Sequence, residues 1–380
     1  MFHRLLSLPL DHQQSIFLFG PRATGKTSWL KAHIKDAIYL DLLDFSFFSV
    51  LSADPSRLSH MIPSFYAGWI VIDEIQKIPA LLNEVHRLIE EKKYRFILTG
   101  SSARSLRRGG VNLLAGRALT YTMHPLTIDE VGEQFNLSFA LTYGMLPSVF
   151  SHPDPKKYLE SYVQTYIKEE VLQEGLTRNV GTFTKFLEIA SFSQGSVLNV
   201  SEIAREVGHN RTTIVNYFNI LDDLLLSRRI PVFTHKAKRK LITHEKFYFF
   251  DVGIFNTIRP SGPLDAREIK EGVALESLFL QAICAINDYF NLGYSIYFWR
   301  TSYGDEIDFI LYGQRGFHAF EIKRTDKIHR SYLKSLIKFG TDYPEATLHY
   351  IYLGNHKEYH ERIIATPFVQ ALKTLKIILQ

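Results

Sequence analysis

Short apolar runs recur along the first third of the chain. Ser15 to Phe19, Ala37 to Leu40, Trp69 to Ile72, Phe96 to Leu98 and Leu119 to Met123 each read as a strand buried on both faces, with amphipathic helical pattern between them. Strands separated by helix-length crossovers predict a parallel sheet of α/β type. After Pro125 the pattern turns helical, clearest in Tyr158 to Leu172 and Phe183 to Phe192. Asn199 to Val207 reads as a short helix, Gly208-His209-Asn210 as a turn, and Thr212 to Leu226 as a longer helix. Strand-like Ile230 to Val232 and Lys246 to Phe250 follow, joined by the basic stretch Lys236, Lys238, Arg239 and Lys240, which a wing explains simply. From Gly272 a helix pattern, Leu275 to Asn287, precedes strand-like runs at Ile296 to Trp299, Ile307 to Leu311 and Ala319 to Ile322. The pattern divides the chain into a nucleotide-binding core over 1–130, a helical linker over 131–180, a winged helix-turn-helix over 181–258 and an α/β module over 259–380.

Composition narrows the class. At 380 residues, 46% hydrophobic and 22% charged, the chain is of globular type and long enough for two or three domains. A net charge of +5 favours polyanions wherever the excess cations cluster. One cysteine, Cys284, rules out an internal disulfide and a thiolate zinc site. The first residues lack a long apolar segment before a small-residue cleavage site, and no apolar run approaches the ~20 residues of a membrane span. These features predict a cytoplasmic protein with no membrane partner.

The strongest chemical signal is Gly20-Pro21-Arg22-Ala23-Thr24-Gly25-Lys26-Thr27, which matches GxxxxGK[ST] between a strand and a helix. Glycines let the backbone curl so that successive amides face a phosphate, and the helix start adds partial positive charge. In this reading the whole loop binds ATP, Lys26 neutralises the β- and γ-phosphates, and Thr27 offers its hydroxyl to Mg²⁺. The run Trp69 to Ile72 ends in Asp73-Glu74. Asp73 would hold the magnesium shell and Glu74 would deprotonate the attacking water; the alternative is a cap on the helix from Pro79 to Glu90. Phe96 to Thr99 runs into Gly100-Ser101-Ser102, where Ser101 or Ser102 is either a γ-phosphate sensor or ordinary turn chemistry. Arg117 is the candidate arginine finger acting on a neighbouring subunit, with Arg104, Arg107 and Arg108 as competitors.

GPRATGKT, WIVIDEIQKIP, FILTGSS, AGR and HPLTIDE together resemble the prokaryotic AAA+ ATPases that carry a C-terminal region of unknown function. The resemblance continues through GMLPSVF, KFYFFDVGIF, ALES, FWRTSYGDEIDFIL and FEIKRT, nearly the whole chain. It implies an ATPase, and a homo-oligomer is expected.

Two further constellations bear on what such an ATPase acts upon. In Ser201 to Leu226, Ile203, Ala204 and Val207 are placed to pack on Ile214, Val215, Phe218 and Leu221, leaving Asn210, Arg211, Thr212, Thr213 and Asn216 at the exposed start of the second helix. Those side chains can reach bases or phosphates, with Lys236, Lys238, Arg239 and Lys240 as phosphate ligands beside them. A protein-protein adaptor and a solvated hairpin tip are the alternatives. In the last module, Glu276 on a helix, Asp308 in a strand and Glu321-Ile322-Lys323 on the next strand resemble the PD-(D/E)xK nuclease fold. That resemblance implies Mg²⁺ held by Glu276, Asp308 and Glu321, with Lys323 steering the hydrolytic water. The bland alternative is a buried Asp308-Lys323 ion pair, and Glu306 is expected to face away into solvent. The leading expectation is an AAA+ ATPase acting on DNA, branched or damaged DNA being a reasonable target. Its rivals are a regulatory NTPase switch on an inert nuclease-like platform and a sequence-specific transcription regulator.

Overall fold

The computed structural model describes residues 2–101, 114, 116–167, 180–262 and 267–380. Ser102, Arg104, Arg107, Arg108 and the end of the Tyr158 to Leu172 stretch lie outside the described residues. The chain forms two compact units, one of them Arg4–His124 with the short piece Asp223–Leu225, the other holding the rest.

The first unit is built on five parallel strands: β1 (Ser15–Phe19), β2 (Ile38–Asp41), β3 (Trp69–Asp73), β4 (Arg95–Gly100) and β5 (Ala118–Thr122), in the order β2-β3-β4-β1-β5. β1 and β3 are buried throughout, which explains why their sequences are continuous apolar runs and do not alternate. Helix α1 (Lys26–His33) follows β1, and helix α2 (Leu81–Lys92) covers the sheet with Leu81, Leu82, Val85 and Leu88 in the core beside Ile70, Ile72, Phe96 and Leu98. Because every strand is parallel, the carboxyl ends of β1, β3 and β4 share one edge. Phosphate loop, Asp73-Glu74 and Thr99 meet there.

The second unit opens with helical segments and then a three-helix cluster: α3 (Val180–Ser191), α4 (Val200–Val207) and α5 (Arg211–Asp223). Asn199 and Asn210 accept the amides of Glu202 and Thr213, which starts α4 and α5, and Gly208 in the left-handed region (φ 83°) ends α4. Phe183 and Phe186 of α3 pack on Tyr217 and Phe218 of α5. A three-stranded sheet adjoins this cluster, with β6 (Ser196–Val197), β7 (Ser227–Ile230) and β8 (Lys246–Phe249) in the order β6-β8-β7.

A six-stranded sheet follows: β9 (Ser295–Arg300), β10 (Glu306–Gly313), β11 (Gly316–Ile322), β12 (Thr347–Tyr352), β13 (Glu358–His360) and β14 (Ile363–Pro367), ordered β13-β14-β12-β11-β10-β9. β9, β10 and β11 form an antiparallel meander, and β12 joins β11 in parallel. Helix α6 (Arg267–Tyr289) and helix α7 (Phe368–Leu379) pack through Phe279 against Phe320 and Phe368.

The basic segment after β7 departs from a free wing. Val232 bridges to Phe298 of β9, and Phe233 is buried against Tyr297, Phe317, Phe339 and Tyr343. Burial of one large ring thus draws the start of the segment onto the edge of the six-stranded sheet, while residues 234–240 beyond it stay exposed.

Candidate functional site

The phosphate loop owes its shape to two glycines. A Cβ at Gly20 would lie 2.4 Å from the Met123 carbonyl oxygen, and Gly25 sits at φ 96° as the residue that starts α1. Lys26 is buried, its ammonium donating to the carbonyls of Gly20 at 2.6 Å and Pro21 at 3.2 Å. Arg4, also buried, donates to the carbonyls of Thr24 at 2.6 Å and His124 at 2.5 Å, tying the loop to the chain beyond β5.

Asp73, 2% exposed, is the hub of the edge. Its Oδ2 accepts from the Thr27 hydroxyl at 2.7 Å and from the Tyr39 phenol, and its Oδ1 accepts from the Thr99 hydroxyl. Thr99 Oγ1 in turn accepts the Glu74 amide at 3.2 Å. Burial and the neighbouring Asp73 carboxylate push the Tyr39 phenol well above its ordinary range, so it acts there as a donor. Glu74 takes a left-handed backbone (φ 60°), uncommon for a residue with a side chain, and its carboxylate accepts from Gln76. Gln76 also reaches Ser101 Oγ at 3.3 Å. Helix α2 has Ala80 at its N-cap and no side-chain cap, so neither Asp73 nor Glu74 caps it. Thr27 and Asp73 form a paired hydroxyl and carboxylate beside a buried lysine, and this donor set fits a magnesium-bound triphosphate.

Arg117 stands elsewhere. Its carbonyl accepts from Ser15 at the start of β1, the edge opposite the phosphate loop, and its guanidinium pairs with Glu90. Tyr39, Thr99, Gln76 and Arg4 were missed by sequence reasoning. Only Thr99 carried a signal, as a hydroxyl closing a buried strand; the contacts of the others depend on tertiary placement.

In the second unit Arg211, Thr212 and Asn216 are exposed at the start of α5, and Lys236, Lys238 and Lys240 are exposed on the segment after β7. Arg239 differs, being paired with Asp342 at 3.1 Å by one of two contacts, the other shorter. A carboxylate therefore already engages one of the four expected phosphate-binding cations.

Glu276, Asp308, Glu321 and Lys323 do converge, but around ammonium groups. Lys323 Nζ lies 2.5 Å from Glu321 Oε1 and 4.0 Å from Asp308 Oδ2, which places residues 321 and 323 on one face as strand period requires. Lys246 of β8, 1% exposed, brings its Nζ to 3.5 Å from Asp308 Oδ1 and 4.0 Å from Glu276 Oε2, and pairs closely with Glu306. Glu306 does not face away: residues two apart on a strand share a side, and Glu306 joins Asp308 on Lys246 while also meeting Arg300 at 3.2 Å. Tyr248 donates to Glu276 at 3.1 Å and the Ile322 amide to Asp308 Oδ2 at 2.8 Å. Burial and the Asp308 charge push both Glu276 and Glu321 up to about 8. Burial opposes the charged form of Lys246, yet Tyr248 and the surrounding carboxylates hold it well above its usual range. Among the described residues no group of three His, Cys, Asp or Glu is arranged to hold a metal ion. Lys246 was the missed member, its signal being a charge at the head of the apolar run Phe247 to Phe250.

Residues 12–132 match the family described as AAA domain. That match takes in the first third of the chain. Residues 134–265 and 271–370 match two families described as domains of unknown function, DUF8612 and DUF4143. Uncharacterized proteins of Mycobacterium tuberculosis and Mycobacterium bovis are 27% identical to the chain over 371 residues, covering 94% of it and 81% of theirs. An uncharacterized protein of Methanocaldococcus jannaschii is 23% identical over 346 residues, covering 83% of this chain and 76% of its own. Among solved structures, the Aeropyrum pernix ORC1 protein in complex with DNA is similar at a TM-score of 0.27 and 13% identity, covering 64% of this chain and 86% of that one. Protein VC1899 of Vibrio cholerae reaches 0.24 at 11% identity, with 90% and 97% covered. At those scores neither likeness bears on fold or function. Among the described residues, no helix is long and apolar enough to cross a membrane.

Proposed function

We propose that the protein hydrolyses ATP at the edge formed by Gly20–Thr27, Asp73 and Glu74, as an oligomer that acts on DNA. The observation that carries the ATPase reading is the chain of contacts Thr27–Asp73–Thr99–Glu74 beside the buried Lys26. Lys26 and the loop amides would bind the phosphates, while Thr27 and Asp73 would hold Mg²⁺, which supplies charge neutralisation on the leaving oxygens. Glu74 Oε takes the proton of the attacking water, and Thr99 fixes the backbone from which Glu74 projects. Arg117 is proposed as the residue offered to a neighbouring subunit.

Action on DNA rests on the exposed Arg211, Thr212 and Asn216 at a helix start and on Lys236, Lys238 and Lys240. We read the α3–α5 cluster with its small sheet as a winged helix-turn-helix and the six-stranded region as nuclease-like. The pairing of Lys246 with Glu276, Glu306 and Asp308 favours a second reading, a regulatory NTPase switch on an inert platform.

Lys26→Ala is expected to abolish nucleotide binding, and Glu74→Gln to bind ATP and hold it uncleaved. Normal turnover by Glu74→Gln would show that another group takes the proton. An ATPase rate that no DNA alters, with no DNA binding at low salt, would remove the DNA reading and leave the switch.

A further inference from the structure

The carboxylates that resemble a nuclease metal site already contain a cation. We propose that the Lys246 ammonium is the resident cation of the Glu276, Glu306, Asp308 and Glu321 cluster, so that this region holds no divalent metal and serves as an ion-paired joint between β8 and the six-stranded sheet.

The geometry assigns the ammonium its place. A divalent ion joining the helix glutamate to the strand aspartate would need oxygens of both at about 2.0–2.6 Å. Lys246 Nζ stands against those same two groups, 4.0 Å from Glu276 Oε2 and 3.5 Å from Asp308 Oδ1, with Glu306 closing a third side. The Phe298 ring lies 5.4 Å away and lines the remaining approach with the negative face of an aromatic. Asp308 is engaged at both oxygens: Oδ1 faces Lys246, while Oδ2 faces Lys323 at 4.0 Å and accepts the Ile322 amide. An incoming Mg²⁺ would meet a buried like charge that cannot withdraw to water, because Lys246 is 1% exposed and rooted in β8.

Charge balance agrees. Four carboxylates face the two ammonium groups of Lys246 and Lys323, with Arg300 beside Glu306. Glu321 Oε2 is buried and, among the described residues, has no hydrogen-bond partner. Lys246 belongs to the small three-stranded sheet, so the cluster joins that sheet to β10 and β11 through charge, beside the Tyr248–Phe309 ring contact.

The test is Mn²⁺ binding to the nucleotide-free full-length chain, followed by electron paramagnetic resonance. Wild type is expected to bind no Mn²⁺ that depends on Asp308. Lys246→Met keeps an unbranched side chain of similar length and removes the ammonium; it should gain one Mn²⁺ per chain, on the order of tenfold or more tighter than any site in wild type. Adding Asp308→Asn should abolish that gain. An Asp308-dependent Mn²⁺ site in wild type would overturn the proposal, and so would a folded Lys246→Met protein that gains no site. Should Lys246→Met fail to fold by circular dichroism, wild type against Asp308→Asn decides the matter: no difference in Mn²⁺ bound upholds the resident lysine, a lost site refutes it. None of these outcomes depends on ATP turnover, so the ATPase reading stands or falls separately.

Discussion

Arg4 offers a sharp test of how the nucleotide loop is held. Its buried guanidinium donates to the Thr24 carbonyl inside the loop and to the His124 carbonyl beyond β5, at 2.6 and 2.5 Å. Arg4→Met retains much of the packing volume and removes both donors, leaving two carbonyls in a region that water reaches poorly. Hydrogen bonds to a charged donor are worth about 1.5–3 kcal/mol each, and the relief of the buried charge offsets part of the loss, so a net cost of about 3 kcal/mol is expected. For a unit of this size that corresponds to a fall of roughly 10 °C in Tm. Arg4→Lys, whose donors sit on one compact ammonium in place of a fork, should lose about half as much. Loss of loop ordering should also weaken ATP binding roughly three- to tenfold, the equivalent of about 0.5–1.5 kcal/mol. Calorimetry, hydrogen exchange in the β1 and β4 peptides, and fluorescent nucleotide titration would read these effects. A Tm within about 2 °C of wild type, with unchanged exchange and ATP affinity, would refute the reasoning that this clamp supports the loop.

Thr99→Val keeps shape but removes the hydroxyl shared by Asp73 and the Glu74 amide; kcat should fall by about 10²-fold, the range for a mispositioned proton acceptor, with a smaller change in ATP affinity, which steady-state kinetics would reveal. Phe233→Ala should cost about 3–5 kcal/mol, since the ring is 1% exposed and surrounded by Tyr297, Phe317, Phe339 and Tyr343. A free wing would predict almost no change on denaturant titration. For pH, Glu276 and Glu321 are raised from 4.5 to about 8 in the folded chain, so the native state binds more protons than the unfolded one between those values. Their contribution to stability is present below pH 4.5 and is lost as pH rises toward 8. Unfolding titrations across that window should show a falling component that Glu321→Gln flattens, and an unchanged slope in the variant would contradict the assignment.

The sequence by itself determined the N-terminal sheet and the motif at its edge. A parallel strand buried on both faces is apolar along most of its length, so β1, β3 and β4 were legible as runs, and the glycines of Gly20–Thr27 mark the loop between β1 and α1. The helices from Val200 to Asp223 were readable from their spacing and from Gly208. Strands β12 and β14 were not singled out, and the last helix, Phe368–Leu379, carried no motif to draw notice.

Tertiary structure decided the charges. Period two should have placed Glu306 beside Asp308, yet nothing local says that the cation between them comes from β8, some sixty residues earlier. Likewise Arg4 and Thr24 are brought together by folding alone, as are Arg239 and Asp342. Motifs fix backbone shape through steric rules that act over a few residues. Which ion neutralises a buried carboxylate depends on who else is buried beside it, and only the packed chain supplies that.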